Sequence, residues 1–124
     1  MGNKISDRHQ ETINYALNVI KSSTLSQHIS DIILFGSVAR GTAKYSSDVD
    51  LLLVLNKDAE ELVDNRDIRT LKGDVSPLSV SLPEVDLKVT FGMGWRQSKS
   101  TIDFNIRKDG YSIWESKDGT AISI

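Results

Sequence analysis

Apolar residues recur with two periods along this chain, and the switches between them predict alternating helices and strands. From Asp7 to Lys21, Ile13, Ala16, Leu17 and Ile20 fall at the i, i+3, i+4, i+7 spacing of one helix face, with Ser6 or Asp7 as N-cap. Ile32, Ile33, Leu34 and Phe35 form a short apolar run that stops at Gly36-Ser37, as a buried strand does on entering a turn. Leu51 to Leu55 is apolar at every position, so both its faces should be covered, as in a central strand. Asn56 to Lys72 is rich in charge, with Leu62, Val63, Ile68 and Leu71 at roughly helical spacing, and reads as a surface helix broken near Asn65. Gly73 to Pro83 holds both prolines and reads as a loop. Alternation returns at Glu84, with Val85, Leu87 and Val89 on one side and Glu84, Asp86, Lys88 and Thr90 on the other, which predicts a half-buried strand.

The C-terminal part repeats the switch. A helix is expected from Ser98 or Ser100 to Lys108, with Ile102 and Ile106 inward and Gly110 at its C-terminal cap. Tyr111 to Glu115 alternates as a strand, and Lys117-Asp118-Gly119 can turn Thr120 to Ile124 back as a hairpin strand. Strands interleaved with helices define an α/β class.

Composition narrows the partners. With 124 residues, 39% hydrophobic and 26% charged, the chain suits one globular domain over residues 1–124 with a modest core. A net charge of −2 and a pI near 5.6 leave no basic surface for a broad grip on DNA or RNA, so no stable nucleic-acid binding is expected. Cysteine is absent, which excludes disulfides and thiolate metal sites. The first ten residues lack the apolar core of a signal peptide, and no apolar run nears the roughly 20 residues a membrane span needs, so the cytoplasm is the expected compartment. His9 lies off the apolar stripe of the first helix and is expected to face solvent, and His28 sits in a polar linker; neither suggests zinc. Asp58, Glu60, Glu61 and Asp64 read as a solvated acidic face.

The chemistry concentrates between Leu34 and Leu55. Gly36 permits close approach of backbone and ligand, Ser37 adds a hydroxyl, and Val38, Ala39 and Arg40 can begin a helix whose free N–H groups favour a phosphate. Ten residues, Val38 to Ser47, separate Ser37 from Asp48-Val49-Asp50. On a strand Asp48 and Asp50 share one face. Two carboxylates about 4 Å apart repel by roughly 4 kcal/mol at an effective dielectric of 20, which a fold tolerates when a cation lies between them. Magnesium suits such a pair because it takes a few carboxylates, waters and substrate phosphates. A lone Asp-x-Asp is more often a solvated strand face; its pairing with the Gly-Ser turn is what shifts the balance. Arg40 and Lys44 are cations within reach of a bound triphosphate or ordinary loop residues. Ser47 is placed to hold the loop through a local backbone hydrogen bond. Phe91 and Trp95 offer either a stacking surface for a base or core packing.

Phe35-Gly36-Ser37, ten residues, then Asp48-Val49-Asp50-Leu51 resembles the signature of the nucleotidyltransferase superfamily that includes DNA polymerase beta. Gly36-Ser37-x-Ala39-Arg40-Gly41 through Ser47-Asp48 is most similar to the small prokaryotic minimal nucleotidyltransferases, and Phe104 to Tyr111, ending at Trp114-Glu115, looks like their closing helix and strand. The resemblance runs from Ile32 to Glu115, as a motif core over residues 32–90 and a closing helix and strand over 98–115. Residues 73–83 depart from the family pattern.

The resemblance implies a small mixed β-sheet with flanking helices, similar to the palm-like core of the superfamily. It implies that Asp48 and Asp50 hold two magnesium ions and that a third carboxylate on a later strand completes the set; Asp86, between Val85 and Leu87, matches that context, with Glu84 as competitor. Asp86 would help bind one ion and activate an acceptor hydroxyl, which attacks the α-phosphorus of ATP or another nucleoside triphosphate while pyrophosphate leaves. Gly36 and Ser37 would cradle the β- and γ-phosphates, with Arg40 and Ser47 in the same nucleotide site. In minimal nucleotidyltransferases a companion helical toxin of the HEPN class often supplies the acceptor, which implies an antitoxin that adenylylates its partner. Transfer to an aminoglycoside- or lincosamide-type small molecule, with a homo-oligomer building the pocket, is the rival enzyme reading; a module that neutralises its partner by binding alone is the rival from another class.

Overall fold

The computed structural model describes residues 5–114. Helix α1 spans Asp7–Ser22 and is capped by Ser6, whose Oγ accepts from the His9 backbone N at 3.1 Å. Strand β1, Ile29–Phe35, runs directly into a short helix α2, Gly36–Arg40. Strand β2 is Val49–Leu55, helix α3 is Asn65–Asp74 and strand β3 is Val85–Phe91. Helix α4, Thr101–Asp109, and the two-residue strand β4, Tyr111–Ser112, complete the described elements.

The strands form one sheet in the order β3-β2-β1-β4. β1 pairs antiparallel with β2 and β4, while β2 and β3 are parallel, so the sheet is mixed as expected. Parallel pairing needs a crossover of a dozen or more residues, and α3 lies in that connection. Every residue of β2 except Asp50 is buried, in keeping with its unbroken apolar sequence. Leu51, Leu53 and Leu55 meet Ile13, Ala16 and Ile20 of α1 together with Leu71 and Val75. Leu52 and Val54 point to the other face and join Ile33, Phe35, Trp95 and Ile106. Asp50 is therefore the one polar interruption in a strand covered on both sides.

Several local expectations change. The helix after β1 begins at Gly36 itself, and Asp48 lies just before β2 rather than on it. The acidic stretch forms a 3-10 turn, Lys57–Glu61, distinct from α3; the break falls at Asp64, which caps α3 by accepting from Arg66 N at 2.8 Å. On α4, Ile106 is buried but Ile102 is 49% exposed, so only one of the two expected inward residues is in the core. Gly110 follows α4 with extended backbone rather than a left-handed cap, and glycine fits there for space: a Cβ would lie 2.5 Å from Ile106 O and 2.7 Å from Ile33 Cγ2. Ile113 N donates to Ile32 O at 2.8 Å, continuing the contact of β4 with β1. Glu115, the 117–119 turn and the strand expected over 120–124 lie outside the described residues. Among the described residues no helix is long and apolar enough to cross a membrane.

Candidate active site

The site begins where β1 stops. Gly36 has φ +78°, a backbone region that side chains disfavour, and its Cα faces the Asp50 carboxylate. A Cβ at Gly36 would overlap Asp50 Oδ2 and lie 3.0 Å from Asp50 Cγ. The antiparallel register explains the contact, because Phe35 is the partner of Asp50 and Gly36 is the next residue. Ser37, half-buried, follows in α2, and Ser37 O accepts from Thr42 N at 2.9 Å, closing the turn that Gly41, at φ +79°, allows.

On the other side of β2 the parallel register sets Asp50 opposite Asp86. Asp48 is exposed at the entrance to β2, and the chain there is held to β3 by Val49 N donating to Glu84 O at 2.9 Å. The three carboxylates are coupled through Asp50. Burial first, then repulsion from Asp86 and Asp48, pushes its pKa from the ordinary 3.8 up to about 6, against the opposing charges of Lys88 and Arg40. Lys88 shares the face of Asp86, two residues along β3, and its Nζ stands 3.7 Å from Asp86 Oδ2. Arg40, at the end of α2, pairs with Asp109 of α4 at 3.1 Å.

The structure thus brings Gly36, Asp48, Asp50 and Asp86 to one end of the sheet. Arg40 lies within electrostatic reach of Asp50 while tied to Asp109. Ser47 holds the preceding loop: its Oγ accepts from Lys44 N at 2.8 Å, and its N donates to Lys44 O at 3.0 Å. The carboxylates do not form a closed cage, since among the described residues no three His, Asp or Glu side chains converge on a metal position. Hard carboxylate oxygens around an anion that burial and its neighbours destabilise fit a magnesium ion that completes its shell with water and phosphate oxygens.

Two contributors escape the sequence pattern. His9 is buried at 3% exposure, not solvent-facing. Its Nε2 donates to Ser47 O at 2.9 Å, and its Nδ1 lies 2.6 Å from Ser6 Oγ, which fixes the tautomer: Nδ1 accepts from the Ser6 hydroxyl. The loop before Asp48 folds over the first turn of α1 and covers a position that the apolar stripe leaves outside. Lys88 is the second, a cation that alternation sets on the side of Asp86 and that the β2–β3 register brings near Asp50. Trp95 belongs to the core and not to a stacking surface: it is 8% exposed, and its Nε1 is buried with no hydrogen-bond partner among the described residues. Phe91 is half-buried against the main core.

No curated protein matches the sequence. The fold superposes on a Sulfolobus solfataricus protein described as a nucleotidyltransferase, with TM-score 0.60 and 18% identity over 95% of this chain and 92% of that one. It also superposes on a toxin–antitoxin structure with AMP-PNP, at TM-score 0.57 and 20% identity over 85% of this chain and 74% of that one. A mutant of the toxin–antitoxin pair MntA-HpeT gives TM-score 0.55 and 20% identity over the same 85% and 74%. At these identities the likeness is one of fold. The sequence profile of the nucleotidyltransferase domain matches residues 17–108, a span that holds the Gly36-Ser37 turn and all three carboxylates, and the chain belongs to that family.

Proposed function

We propose that the protein transfers a nucleoside monophosphate, AMP in the first place, from a nucleoside triphosphate to a hydroxyl of a partner protein. The observation that carries this reading is the register that sets Asp50 beside Asp86 on one strand and beneath Gly36 on the other. The Gly36-Ser37 turn offers backbone N–H groups and a hydroxyl to the β- and γ-phosphates, and Gly36 lets them approach the carboxylates without a side chain between. Arg40 adds positive charge beside them. Magnesium ions, two by family resemblance, would neutralise the carboxylates when bound and stabilise charge on the attacking and leaving oxygens. Asp48 and Asp50 would hold them. Asp86, half-exposed, contributes to the same set and takes the proton of the acceptor hydroxyl, whose oxygen bonds to the α-phosphorus as the bond to pyrophosphate breaks.

The likeness to toxin–antitoxin structures, one of them with AMP-PNP, supports a partner protein as acceptor and an adenine nucleotide as donor. We take the partner to be a helical HEPN-type toxin and this chain to be its antitoxin in the cytoplasm. The test incubates purified protein with magnesium, α-labelled ATP and lysate of the source cells, beside Asp50→Asn. Label on one protein band that the variant lacks is the expected result. Label in a small-molecule product would replace the partner with a small acceptor. No Asp50-dependent label in either fraction would leave a binding module.

A further inference from the structure

A cleft of about 500 Å³ opens beside Asp48, between the start of α1, the loop at Tyr45 and the segment from Pro77 to Glu84. Its volume is within the range of small-ligand sites. A larger hollow of about 910 Å³ lies between α1 and α3, but none of the three carboxylates lines it. The smaller cleft has one of them, Asp48, in its wall.

Side-chain contacts brace its walls. The Arg8 guanidinium lies over the Tyr45 ring, 3.5 Å from the centroid. The same guanidinium donates to Tyr45 O at 3.0 Å and twice to Ser81 O, at 2.8 and 3.1 Å. Arg8 therefore locks the two loops at a fixed separation and covers one face of the ring. Tyr45 is 72% exposed, so the other face is open. Pro83 is buried and its carbonyl accepts from Thr12 Oγ1 at 3.0 Å, which anchors the opposite wall to α1.

We propose that this cleft holds the nucleoside half of the triphosphate, with the base stacked on the open face of Tyr45 and the ribose hydroxyls donating to Glu84. The inference rests on the nucleotidyl-transfer reading. Only Ser46 and Ser47 separate Tyr45 from Asp48, a span of roughly 10 Å at most, so a nucleoside esterified at the α-phosphorus can extend from Asp48 onto the ring. Stacking on an aromatic ring backed by a guanidinium suits any base and favours the larger purines. Glu84 is exposed at the cleft edge just before β3, two residues from Asp86, and a carboxylate is the group that accepts from a ribose diol. Leu82 and Pro83 supply the apolar floor.

Calorimetric titration of the full chain with magnesium plus either ATP or inorganic tripolyphosphate separates the halves of the ligand. ATP is expected to bind more tightly than tripolyphosphate. Tyr45→Ala should weaken ATP about ten-fold and leave tripolyphosphate unchanged, since base stacking on one aromatic is worth that much. Tyr45→Trp should keep ATP binding, and both substitutions fall on an exposed side chain. The subsite is overturned, and the transfer reading stands, if ATP and tripolyphosphate bind equally or if Tyr45→Ala leaves ATP affinity intact. If neither ligand binds the wild type, the transfer reading falls and the subsite with it.

Discussion

Gly36 lies so close to Asp50 that no side chain fits at position 36: the Asp50 carboxylate occupies the space a Cβ would fill. Gly36 also adopts φ +78°, so alanine there meets both an unfavourable backbone and a collision. Gly36→Ala should destabilise the fold by about 1–3 kcal/mol and displace Asp50. Combining it with Asp50→Gly should recover the part due to collision and not the part due to backbone strain. Chemical denaturation of the two variants measures the split; equal stability of Gly36→Ala and wild type would remove the steric link.

The Asp50 carboxyl gives a second expectation, in pH. Its folded pKa of about 6 exceeds its ordinary 3.8, so between those values the folded state holds a proton that the unfolded chain has released. Stability from this group is full below pH 4 and is lost as pH rises through 6. Asn cannot ionise, so metal-free Asp50→Asn should match wild type near pH 4 and exceed it above pH 6. The gain should be about 1–2 kcal/mol after discounting for the solvent that reaches a half-buried group. Denaturation midpoints across pH 4–8 in a chelator decide it, and a variant less stable than wild type at pH 8 contradicts the burial argument.

Much of this arrangement was legible because it is local. The strand formed by Leu51 to Leu55 announces itself by being apolar at every position, and the space beside Asp50 follows from Gly36 at a strand end. The alternation from Glu84 fixes which residues share the face of Asp86. What pattern cannot supply is register between distant strands and cover from distant loops. Lys88 shares the Asp86 face by alternation but comes near Asp50 only through the pairing of β2 with β3, and His9 became buried because the loop at Ser47 folds over α1. Ile102 errs the other way: it has the helical spacing of a core residue, four before Ile106, but is 49% exposed. Trp95 fills the second core beneath α4, so its ring is unavailable for stacking.

His9 links the cap of α1 to the loop before Asp48, and its loss should be felt at both ends. His9→Ala removes the Nε2 donor to Ser47 O and the Nδ1 acceptor for the Ser6 hydroxyl. A buried group left without a partner costs about 1–3 kcal/mol. The expected result is a lower melting temperature together with faster amide exchange around Tyr45 to Ser47. A loss of stability with unchanged exchange there would assign His9 to core packing alone.

Lys88 offers the sharpest test of the electrostatics. Its ammonium is the cation nearest Asp86 and one of two that oppose ionisation repulsion at Asp50, yet at 3.7 Å and with both groups partly exposed the pair itself is weak. Replacing it with methionine keeps most of the apolar stem and removes the charge. Metal-free Lys88→Met should therefore lose stability between pH 6 and 8, where Asp50 is ionised, and match wild type near pH 4. Added magnesium should recover that loss, giving the variant a larger rise in melting temperature than wild type, because a divalent ion then supplies the compensation the ammonium no longer does. A smaller rise than wild type would mean that Lys88 organises the carboxylates for the metal instead of competing with it.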